Sequence, residues 1–256
     1  MTEYIPAILY EDNHAIVVDK PAGMLTQGDA SGAVSLLVHI RQYLKRRECK
    51  PGNVYLGMVQ RLDKPVSGVI LFAKTSKAAG RISEQIRNRL VLKYYVAVTT
   101  AGSGKPHGDG QVDDMGWVEV RHHLLRIGSK TVAADASRPG AQRAVLKLKT
   151  VFANDVFRVH LIRLVTGRKH QIRAQLAALR MPICGDLKYG SNRELRHGRI
   201  LLHACLLSFV HPTRSTEVEV CSPAPAYFFT RFTRTEQEQI RSRLLESSGC
   251  RETSVR

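Results

Sequence analysis

The sequence predicts an α+β fold. Three observations lead there: many short runs of β-branched and aromatic residues alternate with period two, only a few segments carry helical periodicity, and short polar turns such as Asp12-Asn13 and Asn154-Asp155 join neighbouring strands.

Taken in order, "AILYEDNHAIVVDKPAG" reads as strand, turn and strand, stopped by Pro21 and Gly23. The fold thus starts almost at residue 1, with no room expected for an N-terminal accessory domain. "VSLLVHIRQYLKRR" sets Leu37, Ile40 and Leu44 at helical spacing and ends in a basic cluster read as a solvated helix end. A strand is expected over 54–58, another over "VILFAK", and then a helix over "SKAAGRISEQIRNRL" with Thr75 as N-cap and Ala79, Ile82, Ile86 and Leu90 on one face. "KYYVAV" is β-branched and aromatic, hence strand.

Residues 101–140 are rich in Gly, Asp and Ser and read as a mobile surface insertion, with Trp117 anchoring a hairpin. The adjacent His122 and His123 would point to opposite faces of a strand, which argues against a shared metal. "AVLKLKTVFANDVFRVHLIRLVTG" is a long hairpin, "KHQIRAQLAAL" a short helix after Gly167, and "ILLHACLLSFVHP" and "STEVEVCSP" two further strands. A catalytic domain over 1–233 is expected, followed over 234–256 by a charged helix and a dispensable polar tail.

The charge is unusual for an ordinary globular composition: 39 Lys and Arg against 22 Asp and Glu leave +17. A field of that sign attracts polyanions, nucleic acid above all. From Arg158 to Arg199 ten Lys or Arg face two acids, Asp186 and Glu194, so this segment carries about half of the excess. Five widely spaced cysteines without a C-x-x-C pair argue against a disulfide framework or a zinc site and suit a reducing compartment. No run has membrane-span length and no signal-peptide pattern opens the chain, so a cytoplasmic protein is expected.

Two stretches could carry chemistry. In "QRLDKPVSG" Asp63 lies between Arg61 and Lys64, in a loop supported by an apolar strand on either side. In "TGRKHQIRAQL" the first turns of the helix would present Arg168, Lys169, His170 and Arg173 together, an anion-binding arrangement. Both stretches also admit plain structural readings, a surface ion pair and a solvated basic helix. No metal triad, nucleophile elbow or P-loop is present, and His203 and His211 read as structural. Any chemistry would be run by a lone carboxylate, with no metal and no cofactor.

Those stretches belong to a larger pattern. "VVDKPAG", "RLDKPVSGVILFAK", "KYYVAV", "TGRKHQIRAQLAALRMPICGDLKYG" and "LLHACLLSFVHP" follow the order and content of the RluA family of RNA pseudouridine synthases, and the resemblance runs from about Ile8 to Pro212. It implies the fold of that family, a central mostly antiparallel mixed sheet with an RNA cleft across it, and isomerisation of uridine in ribosomal or transfer RNA by a monomer. It also implies roles. Asp63 is the essential carboxylate, Arg173 its ionic partner, Tyr95 the ring against the target base, Arg61 a neighbour of the flipped nucleotide, and Leu202 part of the pocket floor.

Each implied role is chemically sensible. Moving C1′ of the sugar from N1 to C5 of uracil needs an anion beside the sugar, and whether Asp63 attacks C1′ or takes a sugar proton stays open. A base-enclosed carboxylate loses hydration, so a cation would keep it ionised. An unstacked uracil needs a flat apolar face, which Tyr95 offers, and leaving the stack costs a few kcal/mol that phosphate contacts offset.

Three positions depart from the family pattern: Gln60 replaces a usual His, Val66 a usual Thr, and Arg180 a frequent Gly. The rival reading is a non-catalytic RNA-binding or ribosome-assembly factor that keeps the fold.

Overall fold

The computed structural model describes residues 5–30, 32–49, 52–101 and 111–248. In chain order the elements are β1 (Ala7–Glu11), β2 (Ala15–Lys20), α1 (Leu36–Arg47), β3 (Gly57–Met58), β4 (Ser67–Ala73), α2 (Ser76–Arg87) and β5 (Leu92–Thr100). Then follow β6 (Val118–Ile127), β7 (Lys130–Ala134), β8 (Gln142–Ala153), β9 (Phe157–Leu164), α3 (Gln171–Ala178), β10 (Leu202–Val210), β11 (Glu217–Cys221) and α4 (Arg234–Ser248). Strands and helices mix as an α+β protein should. Two units form, Met1–Val91 with Ala204–Ser222, and Leu92–His203 with Pro223–Arg256.

The first unit is built on β1-β2-β4, antiparallel throughout, with Ile16 opposite Phe72 and Val18 opposite Ile70. Asp12 forms the expected turn between β1 and β2, its Oδ1 accepting the amides of His14 at 2.7 Å and Ala15 at 2.8 Å. β10 follows β4 in the sheet and pairs in turn with β11. Every residue of β4 is buried, because both of its faces are covered. On one face Val69, Leu71, Ala15 and Val17 meet Ala78 and Ile82 of α2 and Leu207 and Phe209 of β10. Gly68 is obligatory where β4 begins: its φ is +114°, and a Cβ there would lie 2.2 Å from the carbonyl oxygen of Ala204.

Both helices form at the expected spacing, with a shift of phase in the buried stripe. The buried stripe of α1 is Leu36, Ile40 and Leu44, with Leu36 in the place expected of Leu37. In α2 Thr75 caps the helix by accepting the amide of Ala78, as its side-chain chemistry predicts. Leu90 lies beyond that helix and is exposed, since the chain turns at Arg89 with φ +59°. The strand expected over 54–58 shrinks to Gly57–Met58.

The second unit is a five-stranded antiparallel sheet in the order β5-β9-β8-β6-β7. The insertion expected over 101–140 is in part regular structure: β6 pairs with β8 over seven residues and β7 closes onto β6. Gly and Asp mark its turns, while the β-branched and apolar residues within it supply the strands. The expectation of mobility over 102–110 lies outside the described residues.

The two faces of this sheet have different covers. α3 lies on one, where Ala174 and Tyr189 pack on Leu124 and Ala144. On the other, α4 is tied down by Arg243, which donates to the Val151 carbonyl, and by Glu236, which accepts from Asn154, with Ile240 fully buried. The C-terminal helix thus runs to Ser248 and is packed on the sheet at Ile240 and Arg243. Of the described cysteines Cys49, Cys184 and Cys205 are free, and Cys221 is disulfide-bonded, which the cysteine spacing did not suggest.

Candidate active site

Asp63 sits in the loop between β3 and β4, half-buried, with Arg61 exposed beside it. A turn closes immediately after it, the amide of Val66 donating to the Asp63 carbonyl at 3.0 Å. The loop is held by the segment after β2. Thr26 Oγ1 donates to the Leu62 carbonyl at 2.8 Å and accepts the Leu62 amide at 3.3 Å, and the Gly23 amide donates to the Lys64 carbonyl at 2.8 Å. "VVDKPAG" and "RLDKPVSG" are therefore two halves of one structure. The first half and Thr26, three residues beyond it, fix the backbone on both sides of the carboxylate.

Lys20 lies at the centre of that structure and is completely buried. Its ammonium donates to the carbonyls of Pro21 at 3.0 Å, Met24 at 2.9 Å and Lys64 at 3.3 Å, using all three of its protons. Burial pulls its pKa down to about 7, against the opposing pull of the Asp63 and Asp19 carboxylates. A buried cation that feels Asp63 was not among the residues expected from the sequence. Its signal was present: a lysine that closes a largely apolar strand, directly before Pro21.

Departures at the edge of this loop have clear local settings. Val66 is 3% exposed, so an apolar side chain suits it. The side-chain nitrogen of Gln60 is buried without a hydrogen-bond partner among the described residues.

In the second unit the basic motif is arranged differently from the expectation. α3 starts at Gln171, after His170 adopts a left-handed conformation with φ +52°. Arg168 and Lys169 therefore precede the helix, both exposed, and the Arg168 amide donates to the Gln171 side chain at 2.9 Å. Arg173 is separated from them by its burial, at 5% exposure. The four residues do not form one open anion-binding turn, because Arg168, Lys169 and His170 precede the helix, Arg173 is buried within it, and the Gln171 side chain takes up the Arg168 amide.

Arg173 has a built socket. Asp186 accepts from its Nε at 2.7 Å and its Nη2 at 2.8 Å, a bidentate pair in which the aspartate is only 1% exposed. The guanidinium also stacks 4.8 Å from the centre of the Tyr189 ring. Tyr189 in turn accepts the Thr131 amide at 2.9 Å and shares a hydrogen bond of 2.8 Å with His170 Nδ1. Asp186 and Tyr189 come from "GDLKYG", and neither was expected as a site residue from the sequence. Gly185 makes the turn possible, since its φ is +89° and a Cβ would meet the Arg199 carbonyl at 2.4 Å.

Tyr95 belongs to the same face of this sheet as α3. The register puts it opposite Ile162, which is opposite Leu148, which is opposite Val118, and the alternate residues of β6 reach Leu124 under α3. His122 is on this face too, 3.3 Å from Gln175 Nε2, and packs as part of the sheet–helix contact. Leu202, 3% exposed, opens β10. Asp63 and Arg61 thus belong to the first unit, and Tyr95, Arg168, Lys169, His170, Arg173 and Leu202 to the second.

A braced carboxylate and a socketed arginine, carried on strands and loops of an α+β fold, define a class that comparison with known proteins identifies. Residues 14–178 match the family model described as RNA pseudouridylate synthase, and the chain belongs to that family. It is 34% identical over 236 residues to the ribosomal large subunit pseudouridine synthase D of Xylella fastidiosa, an alignment that spans 85% of this chain and 66% of that protein, just under two thirds. It is 33% identical over 230 residues to the tRNA pseudouridine synthase C of Pasteurella multocida, covering 84% of this chain and 90% of that one. Among solved structures, human RNA pseudouridylate synthase domain containing 1 superposes with a TM-score of 0.65 at 26% identity, over 88% of this chain and 85% of its own. Human RNA pseudouridylate synthase domain containing 4 has a TM-score of 0.68 at 22% identity, over 92% and 93%, a likeness of fold.

Proposed function

We propose that this chain isomerises uridine to pseudouridine in RNA, with Asp63 as the reacting carboxylate. The reading is carried by one observation, that the segment around Lys20 and Thr26 fixes the backbone on either side of Asp63 while its carboxylate stays partly open. Catalytic groups need that kind of support, because a small misplacement costs more rate than most lost contacts do.

The reaction breaks the N1–C1′ bond, turns the uracil, joins C1′ to C5, and transfers the C5 proton to solvent as N1 regains one. It is redox-neutral. In this reading Asp63 acts at the sugar, as nucleophile or base, and Arg173 supplies the cation that keeps the carboxylate ionised. Tyr95 lies against the uracil, Leu202 forms apolar floor, and Arg61, Arg168, Lys169 and His170 meet RNA. Ribosomal and transfer RNA are the substrate candidates, since relatives are named for each. Among the described residues no helix is long and apolar enough to cross a membrane.

Release of tritium from RNA labelled at uridine C5 tests the proposal. The wild-type chain should release it from total ribosomal or transfer RNA, and Asp63→Asn should not, with unchanged far-UV circular dichroism. Equal release by the variant would overturn the role of Asp63. RNA binding without release by the wild type would favour the non-catalytic RNA-binding factor.

A further inference from the structure

The second unit carries a second surface suited to RNA, on the face of its sheet opposite Tyr95. Tyr94, Arg163, Lys147 and Glu119 stand directly across four neighbouring strands: Tyr94 opposite Arg163, Arg163 opposite Lys147, and Lys147 opposite Glu119. Side chains alternate along a strand, so a residue and its cross-strand partners share a face. Tyr94 neighbours Tyr95 in β5 and therefore looks away from it. α4 and the preceding Phe232 cover one end of this second face, where Phe152 and Phe157 hold the Phe232 ring at 5.6 and 5.7 Å. At the other end Tyr94, Arg163, Lys147 and Lys149 all keep part of their surface open to solvent.

An aromatic wall borders the cations. The rings of Tyr94 and Trp117 meet edge-on with centroids 6.2 Å apart. Trp117 is held firmly there, since Asp113 Oδ1 accepts the amides of Met115 at 3.0 Å and of Trp117 at 2.8 Å, and the Asp113 amide donates back to the Trp117 carbonyl. The single acid of the cross-strand row, Glu119, is occupied by Arg121 at 2.5 Å. Partly exposed cations beside fixed aromatic rings are the two components of a single-strand binding platform, one for phosphates and one for bases.

We propose that this face binds an unpaired segment of RNA, with phosphates on Lys147, Lys149 and Arg163 and a base against Trp117 or Tyr94. It rests on the reading of the chain as an enzyme acting on RNA and adds a second point of grip, away from the target uridine. A folded RNA that touches both faces of the sheet would be selected by its shape as well as by the uridine it offers.

Trp117 is the only tryptophan in the chain, so its emission reports on this face alone. A short oligoadenosine, which contains no uridine to isomerise, should quench that emission as it binds. The double variant Lys147→Glu, Arg163→Glu should weaken binding by about tenfold and lower the salt dependence of the affinity by about two single-strand contacts. Lys147→Gln, Arg163→Gln should do the same to a smaller degree and guards against misfolding of the charge-reversed protein. The proposal falls if oligoadenosine binds, as read by anisotropy, while Trp117 emission stays constant, or if both double variants bind like wild type. Tritium release from labelled RNA is measured in parallel. Quenching without release would refute the enzymatic reading and keep the platform, and release without quenching would do the reverse.

Discussion

Thr26 grips Leu62, the residue before Asp63, from both sides: its hydroxyl donates to the Leu62 carbonyl at 2.8 Å and accepts the Leu62 amide at 3.3 Å. Thr26 is 4% exposed, so water cannot replace either bond. Thr26→Val keeps the shape and removes both. The fold should lose about 2 kcal/mol, and tritium release should fall by about tenfold or more as Asp63 loses its fixed position. Thr26→Ser should recover most of both, which denaturation and initial rates would check.

Lys20 connects the same loop to its neighbour through three carbonyls. Lys20→Met leaves them without a donor, and a loss of about 3 kcal/mol is expected. The pH dependence has a definite sign. The folded pKa is pulled to about 7 from an ordinary 10.5, so between those values the unfolded chain binds the proton more tightly. Stability from this group therefore rises as pH climbs from 7 toward 10.5. Denaturation at neutral and at alkaline pH should show the rise in wild type and its absence in Lys20→Met.

Asp186 orients Arg173 through a buried bidentate pair. Asp186→Asn keeps the size, loses the charge, and leaves the buried guanidinium poorly compensated. A destabilisation of about 3 kcal/mol is expected together with loss of tritium release. Tyr189→Phe is milder, since it keeps the ring under Arg173 and gives up only the bonds to Thr131 and His170. If Tyr189→Phe abolished release as completely as Asp186→Asn, the ring would not be what positions the arginine.

Arg180 occupies the left-handed position after α3, with φ +58°. Its amide donates to the Ala177 carbonyl and that of Met181 to the Leu176 carbonyl, the paired bonds of a helix end that glycine suits best. Arg180→Gly should raise stability by about 1 kcal/mol, seen as a higher midpoint of thermal unfolding. Here the departure from the family pattern costs conformation, and the exposed side chain is free to differ.

His160 is fully buried between Thr99 and Thr150, 3.0 Å from each hydroxyl, and burial lowers its pKa to about 3. Its neutral form belongs to the fold. The unfolded chain takes up the proton first as pH drops, so stability is complete above 6.5 and is lost from there toward 3. His160→Gln keeps polar atoms in place and should flatten this acid limb in denaturation experiments run at falling pH.

Local residue chemistry made most elements legible. Alternation marked β8 and β9, Thr75 marked the start of α2, and Asp12 and Asn154 marked turns whose amides they do accept. Where the reading slipped, the deciding force was non-local. Leu36 replaced Leu37 because the phase of a stripe is set by what the helix packs on, and residues 118–134 became strands because β8 offers them an edge.

The site divides in the same way. Resemblance in motif order, a property of the chain, marked Asp63, Tyr95 and Arg173 as candidates, and the composition announced an excess of positive charge. Only the tertiary structure decided that Lys20 and Thr26 hold the Asp63 loop, that Asp186 and Tyr189 hold Arg173, and that Arg168 and Lys169 stand apart from it. A hydrogen bond depends on a few tenths of an ångström between groups that the chain brings together over tens of residues, and no local preference encodes that distance.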